Sequence, residues 1–190
     1  MKLSWVPFFA LSMSIAAMAA PPTTQSSVRI VDIAGTSIEP LRPAGRANVL
    51  IFVRTDCPIS NSYAPIINRL AKTYADRGVV FYLVYTIRDL PIADAKAHLH
   101  AFGYTCPAVI DRQHELVKAL GAIATPQAFV ITPNGSTAYH GRIDDSFPAL
   151  GKQRPQPTTH ELEDAINAVL DGKQPRVSQT RAIGCAIADD

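Results

Sequence analysis

The sequence lacks a concentration of basic residues, a glycine-rich phosphate-binding loop and a serine–histidine–aspartate arrangement. Its 18 lysine and arginine residues are scattered among 16 acidic ones, and the net charge is only +2. This even distribution argues against nucleic acid or an anionic membrane surface as a partner. The missing motifs argue equally against phosphate-loop and serine-hydrolase chemistry. The chain contains no internal repeat, and its 190 residues are the length of one domain.

Spacings typical of metal ligands are also missing. His98 and His100 are two positions apart in a predicted helix and cannot share a face, so we expect them on the surface. We interpret Asp144 and Asp145 as an acidic turn rather than a cation site. The sequence therefore predicts no metal and no cofactor.

Cysteine is scarce, and the three residues present form an odd number. At least one cysteine must therefore be free, or must pair with a thiol of another molecule. The first 19 residues favour an oxidising compartment, where disulfides persist. They carry a positive Lys2, an apolar run from 6 to 17 and the small-residue site Ala17-Met18-Ala19, as a cleaved signal peptide does. An uncleaved anchor helix is the alternative. We expect a periplasmic or secreted protein with no stable membrane span after signal removal.

The rest of the chain alternates between two hydrophobic periodicities. A leader at 20–27 precedes a domain at 28–172, and an 18-residue tail at 173–190 carries Cys185. Period-two patterns and short apolar runs predict strands at 28–33, 48–53, 79–85, 108–110, 127–131 and 137–140. Helical patterns cover 59–76, 92–102 and 112–120, and a last helix opens at Thr158 with Glu161 as its capping box. Alternating strands and helices predict an α/β fold with a mixed, mostly parallel sheet flanked by helices.

The segment 55–65, which reads TDCPISNSYAP, joins a buried strand to a helix. Cys57 lies at the start of that helix, where unpaired N–H groups favour a thiolate, which is the reactive form of cysteine. Pro58 suits the first helical turn, whereas Asp56 opposes ionisation of the thiol. Ser60 stands where a second cysteine would complete a CxxC pair, and it can donate a hydrogen bond to the thiolate. We predict a reactive Cys57; a buried structural cysteine is the alternative.

The partner of Cys57 must then come from elsewhere. Cys106 precedes a strand predicted to run parallel to the one before Cys57, so we expect it at the opposite end of the sheet. Cys185 lies on a tail long enough to fold back over the site. It would resolve an oxidised Cys57, or form a static disulfide, or remain unpaired, and an external thiol is a further possibility.

The segment around Cys57 resembles the active site of the thioredoxin fold. Pro65 stands at the offset of the kinking proline in thioredoxins, and Thr125-Pro126 matches their cis-proline loop, which faces the active-site cysteine. The interval between Cys57 and Pro126 holds an additional helix and strand, as in the redoxins, the alkyl hydroperoxide reductase/thiol-specific antioxidant group. The resemblance covers roughly residues 28–187 and implies a cis Thr125–Pro126 bond.

Two further segments are similar to a peroxiredoxin-like subgroup of that family. They are Tyr139–Asp145, which reads YHGRIDD, and Gly184–Ile187, which reads GCAI. Peroxiredoxins carry threonine or serine at the position of Arg54 and proline at that of Leu50, and they have an arginine ahead of the cis-proline loop that is missing here. Arg54 or Arg142 is the candidate substitute. These departures favour thiol–disulfide exchange over peroxidase chemistry.

The resemblance implies an extracytoplasmic thiol–disulfide oxidoreductase or peroxiredoxin-like antioxidant protein. Its partners would be a peroxide or disulfide substrate and an external thiol reductant. The alternative is a module without turnover that binds copper or a protein through two cysteines. The predicted catalytic residues are Cys57, Cys185 and Ser60, and the predicted substrate-binding residues are Pro58, Thr125, Pro126 and Arg142.

Overall fold

The structure, a computed structural model, describes residues 27–188. The predicted signal peptide and nearly all of the predicted leader lie outside these residues. Within 27–188, no helix has the length and apolar character needed to cross a membrane.

A five-stranded sheet forms the centre of the molecule, in the order β5-β4-β3-β7-β8. Strands β3, β4 and β5 run parallel, β7 is antiparallel to β3, and β8 is antiparallel to β7. Four of the five strands therefore share one direction, which confirms the predicted mixed, mostly parallel sheet. The strands are β3 (Ala47–Val53), β4 (Val79–Tyr85), β5 (Ala108–Ile110), β7 (Gln127–Ile131) and β8 (Thr137–Gly141). Four short strands lie outside it: β1 (Ile30–Val31), β2 (Ser37–Ile38), β6 (Ala124–Thr125) and β9 (Cys185–Ala186).

Strand β3 is buried along its whole length because both faces of the sheet are covered. Val49, Ile51 and Val53 pack into one apolar cluster, whereas Leu50 and Phe52 pack into a second one on the other face. The unbroken apolar runs at 49–53 and 79–85 follow from this burial, since neither face has to meet water.

Five helices flank the sheet within the described residues. They are α1 (Pro58–Ser62), α2 (Ala64–Ala75), α3 (Ile92–Ala101), α4 (Glu115–Leu120) and α5 (Glu161–Leu170). The single helix predicted over 59–76 is wrong, because the chain breaks at Tyr63 between α1 and α2. Pro65 has no N–H to donate to the carbonyl four residues earlier, so the first helix ends and a second begins around it.

Two predicted helix starts are also wrong. Helix α4 begins at Glu115 instead of at 112, because the buried Asp111 carboxylate accepts the N–H groups of Glu115 and Val117. Helix α5 begins at Glu161, and the predicted capping box does not form. Thr158 instead donates its N–H and hydroxyl to Asp145, while Glu161 pairs with an arginine elsewhere.

The predicted strand at 28–33 is reduced to the two residues of β1, which pairs with β2 in a small hairpin outside the central sheet. The Asp32 carboxylate accepts the N–H groups of Ala34 and Thr36, so the chain turns immediately after Val31. Val31 therefore remains 59 % exposed.

The C-terminal segment lies against the domain at two places. At the first, Ser178 and Thr180 exchange backbone hydrogen bonds with His140 on β8. At the second, strand β9 (Cys185–Ala186) pairs antiparallel with β6, and the Ile187 N–H donates to the carbonyl of Ile123. Residues 178–187, which carry Cys185, thus form a strap across the carboxyl end of the sheet rather than a free arm.

Candidate active site

Cys57 follows the carboxyl end of β3 and is the N-cap of α1. Its backbone is extended at that point, with φ −92° and ψ 109°, and its carbonyl accepts the N–H of Asn61. Pro58 begins the helix and is exposed, whereas Ser60 one turn along is buried. The side chain of Cys57 therefore points into the protein at the junction between strand and helix, where it is fully buried.

Cys185 of the strap meets Cys57 at this junction. The Cys185 thiol donates to the Cys57 sulfur, and the two sulfurs are 2.6 Å apart although 128 positions separate them in the chain. No disulfide bond joins them in this structure. Cys106 precedes β5, which runs parallel to β4 and β3, so it lies toward the opposite end of the sheet, as predicted.

The loop before β7 completes the site. The Thr125–Pro126 peptide bond is cis, as predicted. The Cys57 thiol donates to the Thr125 carbonyl at 3.1 Å, and Thr125 also pairs with Cys185 in the β6–β9 register. The side-chain oxygen of Gln127 accepts the N–H groups of Ile123 and Ala124, which fixes this loop on the sheet. One backbone segment therefore contacts both cysteines.

The two thiols have opposite pKa shifts. Burial raises the pKa of Cys57, but hydrogen bonds from Cys185 and from Ser60 outweigh it and lower that pKa to about 7. Burial raises the pKa of Cys185 to about 11, and its hydrogen bond to Cys57 adds to the rise. Burial alone raises the pKa of Cys106 to about 11. At neutral pH only Cys57 carries a substantial thiolate fraction.

We therefore expect Cys57 to be alkylated first in the reduced protein. With a pKa of about 7 its rate with iodoacetamide should rise through a midpoint near pH 7, and above that pH it should level off. At pH 7 a thiol of pKa about 11 is ionised in only about one molecule in 10⁴. Mass spectrometry of the modified peptides over pH 5–10 measures all three rates in one sample. Faster modification of Cys106 or Cys185 at neutral pH would show that Cys57 is not the nucleophile.

An ion pair stands beside the thiols. The Arg54 guanidinium donates two parallel hydrogen bonds of 2.9 Å to the Asp56 carboxylate. The hydrogen bond with Asp56 raises the pKa of Arg54 most, and the charges of Cys185 and Cys57 raise it further. Asp56, which the sequence predicts to oppose the thiolate, is thus largely neutralised by its neighbour.

A buried polar network braces the Cys57 junction from behind. The Asn61 amide donates to the Thr55 carbonyl and its oxygen meets Nε2 of His98, while Nδ1 of His98 meets the Tyr85 hydroxyl at 2.8 Å. The prediction that His98 lies on the surface is therefore wrong, whereas His100 is exposed as predicted. Burial lowers the pKa of His98, so it joins α3 to the active-site turn as a neutral ring. No spacing in the sequence reveals this network, because its members come from three separate elements.

Arg142 and Ser60 have different surroundings. The Arg142 guanidinium binds Glu161 and Thr159, so its proposed contact with substrate stays a prediction. The Ser60 hydroxyl is buried without a conventional oxygen or nitrogen partner, and it contributes to the lowered pKa of Cys57. Across residues 27–188, no group of three or more histidine, cysteine or carboxylate side chains is arranged to hold a metal ion.

Gly184 belongs to the GCAI motif, but the sequence does not explain why a glycine stands there. A Cβ atom at this position would lie 1.9 Å from the Thr125 carbonyl oxygen and 3.1 Å from the Pro126 nitrogen. Only a residue without a side chain brings the strap this close to the cis-proline loop, and this approach places the next residue, Cys185, on Cys57.

Comparison with known proteins finds relatives in sequence and in fold. Over 91 residues the chain is 32 % identical to thiol-disulfide oxidoreductase ResA of Geobacillus thermodenitrificans; the match covers 48 % of this chain and about half, 51 %, of that relative. An uncharacterized conserved protein of Geobacillus kaustophilus superposes with a TM-score of 0.76 at 24 % identity, over 87 % of this chain and 90 % of the other.

The thioredoxin domain of a thiol-disulfide oxidoreductase from Bacteroides vulgatus superposes with a TM-score of 0.53 at 16 % identity, over 63 % of this chain and 86 % of that one. These superpositions confirm the predicted thioredoxin-like fold. The sequence model of the Redoxin family matches residues 20–153, which is most of the chain. This protein belongs to the Redoxin family.

Proposed function

We propose that this protein is an extracytoplasmic thiol–disulfide oxidoreductase in which Cys57 is the nucleophile and Cys185 the resolving thiol. The observation that carries the proposal is the contact of the two sulfurs at 2.6 Å beside the cis-proline loop. The lowered pKa of Cys57 and the raised pKa of Cys185 divide the roles, because the group ionised at neutral pH attacks first. The name of the ResA relative agrees with this chemistry.

The Cys57 thiolate attacks one sulfur of a substrate disulfide, and the other sulfur leaves as a thiolate. Cys185, deprotonated as the departing thiolate takes up its proton, then attacks the Cys57 sulfur of the mixed disulfide. The substrate leaves as one thiol and one thiolate, which water protonates, and the protein keeps a Cys57–Cys185 disulfide, so two electrons pass to the substrate. An external thiol reductant restores the reduced protein. Pro58, Thr125 and Pro126 would border the incoming sulfur.

Two other reactions use the same pair of sulfurs. A peroxide would convert Cys57 to a sulfenic acid, which Cys185 would resolve with loss of water. Two facing thiolates are also the ligands that Cu(I) prefers. Thiol–disulfide exchange is favoured over peroxidase chemistry, because Arg54 and Leu50 replace the usual peroxiredoxin residues.

Mild oxidation tests the proposal directly. Reduced protein treated with an oxidised model protein, and in parallel with hydrogen peroxide, is digested and its disulfides are mapped by mass spectrometry. We expect an intramolecular Cys57–Cys185 link, formed faster with the protein disulfide than with peroxide. A dominant Cys106–Cys185 link would contradict the assignment of roles, and a lasting sulfenic acid on Cys57 would give the resolving role to an external thiol. Protein that binds Cu(I) stoichiometrically but reduces no disulfide would support the module without turnover.

A further inference from the structure

The strap occupies the backbone edge of the cis-proline loop beside Cys57. Strand β9 uses the pairing groups of β6, with Thr125 opposite Cys185, and the carbonyl of Ile123 accepts the N–H of Ile187. Cys57 has no exposed surface in this arrangement. An attacking thiolate needs the incoming disulfide in line with its own sulfur, and that position is filled by Cys185.

We propose that residues 184–187 are an internal pseudosubstrate, which an extended disulfide-bearing segment with glycine before its attacked cysteine displaces from β6. The inference rests on the proposed function and adds to it a class of substrate and a closed resting state. Its basis is that the strap already has the form of such a segment: extended, antiparallel to β6 and carrying a cysteine opposite Thr125.

The requirement for glycine follows from the contact at Gly184. In this register a Cβ atom before the cysteine would overlap the Thr125 carbonyl at 1.9 Å, and the atom it meets is backbone that cannot move aside cheaply. A substrate segment that takes the same register meets the same oxygen. Any larger residue must shift away from the loop and carries its sulfur away from Cys57.

The strap must therefore leave for the first step and return for the second. Attack by Cys57 on the substrate disulfide forms the mixed disulfide and releases one substrate thiolate while the strap is away. The return of the strap brings Cys185 to the Cys57 sulfur and expels the second substrate thiol. Binding of the substrate and docking of the strap exclude each other, so the docked fraction lowers the apparent reactivity of Cys57 in proportion.

The test uses the full-length Cys185→Ser protein. This separates the covering of Cys57 by the strap from the resolution of the mixed disulfide by Cys185. Its hydroxyl keeps the strap in place but cannot resolve a mixed disulfide. Three proteins are compared: Cys185→Ser alone, the same with Gly184→Ala, and the same with Ala186→Ser, a matched control at an exposed position of the same strand. The substrates are symmetrical disulfides of two short peptides that differ only in glycine or valine before the cysteine, and mixed-disulfide formation is followed by mass spectrometry.

We expect Gly184→Ala to increase the rate with the glycine peptide about tenfold or more, because more molecules are open. Ala186→Ser should leave the rate unchanged, and in every variant the glycine peptide should react faster than the valine peptide. Amide exchange should show loss of protection at Ile187 in Gly184→Ala, with β4 still protected. If β4 also exchanges, Thr180→Ala replaces the variant, because Thr180 holds the strap through Tyr139 and Arg142.

Equal rates for Gly184→Ala and the control would overturn the pseudosubstrate. Equal rates for the two peptides would overturn the glycine requirement. In both cases formation of a mixed disulfide at Cys57 would leave the proposed oxidoreductase function standing. Absence of a mixed disulfide at Cys57 with both peptides in every variant would instead overturn the function itself.

Discussion

Replacing Cys57 with serine is expected to reduce the rate of disulfide reduction by about 10³-fold or more, the scale seen when a nucleophile is removed. The serine hydroxyl is not ionised at neutral pH, so no attacking group remains. Cys185→Ser should instead stop after the first step and accumulate a mixed disulfide with the substrate at Cys57. Reduction of an insulin-type disulfide substrate, with the trapped adduct measured by mass, distinguishes the two variants.

Cys106→Ser provides the matched control for this loss. Cys106 has a raised pKa and lies toward the other end of the sheet, so its replacement should leave the rate within about twofold, as for a residue outside the reacting unit. A Cys57→Ser protein that retains most of the activity would refute the assignment of the nucleophile. A Cys106→Ser protein that loses it would show that the second thiol is not Cys185.

Replacing Gly141 with alanine is expected to lower the free energy of unfolding by about 3 kcal/mol, near the upper end for a single substitution. Gly141 ends β8 with φ +148°, and its added Cβ would lie 2.2 Å from Thr180 Oγ1, 2.5 Å from the Thr180 carbonyl oxygen and 2.8 Å from the Thr180 nitrogen. The strap would have to leave this part of β8. Urea unfolding of the reduced protein measures the loss.

Gly172→Ala is the control, because it introduces backbone strain without a steric contact. Gly172 has φ +70°, and a Cβ atom added there would meet nothing within 4 Å. We expect a loss of about 1 kcal/mol there, the cost of a left-handed alanine. Similar losses at the two glycines would mean that the strap gives way at β8 without a cost to the folded state.

The sequence predicts most accurately what repeats along the chain. Strands β3 and β4 are unbroken apolar runs, and a strand buried on both faces has no other pattern available to it. The position of Cys57 and the cis bond at Pro126 follow from short local motifs. The approach of Cys185 to Cys57 is one of the possibilities that the sequence leaves open once Cys106 is excluded, and that exclusion depends only on the directions of parallel strands.

The sequence does not predict what depends on a contact between distant residues. Helix α5 starts late because Asp145 binds Thr158, and His98 is buried because Asn61 and Tyr85 satisfy both of its ring nitrogens. The docking of the strap likewise depends on two glycines that lack a side chain where another backbone passes. Neither propensity nor periodicity records such an approach, since the second partner lies far away in the chain.

The long stretch of chain between the two cysteines links redox chemistry to conformational stability. A CxxC pair closes a loop within one helical turn, whereas a bond between Cys57 and Cys185 would close one of 128 residues. For loops of about 100 residues the chain-entropy model assigns such a crosslink about 4.7 kcal/mol of stabilisation, which corresponds to about 100 mV for a two-electron couple. By the closed thermodynamic cycle, this disulfide is harder to reduce in the folded protein than in the unfolded chain by the same free energy. The reduction potential of the proposed couple would then be set in part by the folding of the whole domain, including regions of the molecule that take no part in the chemistry.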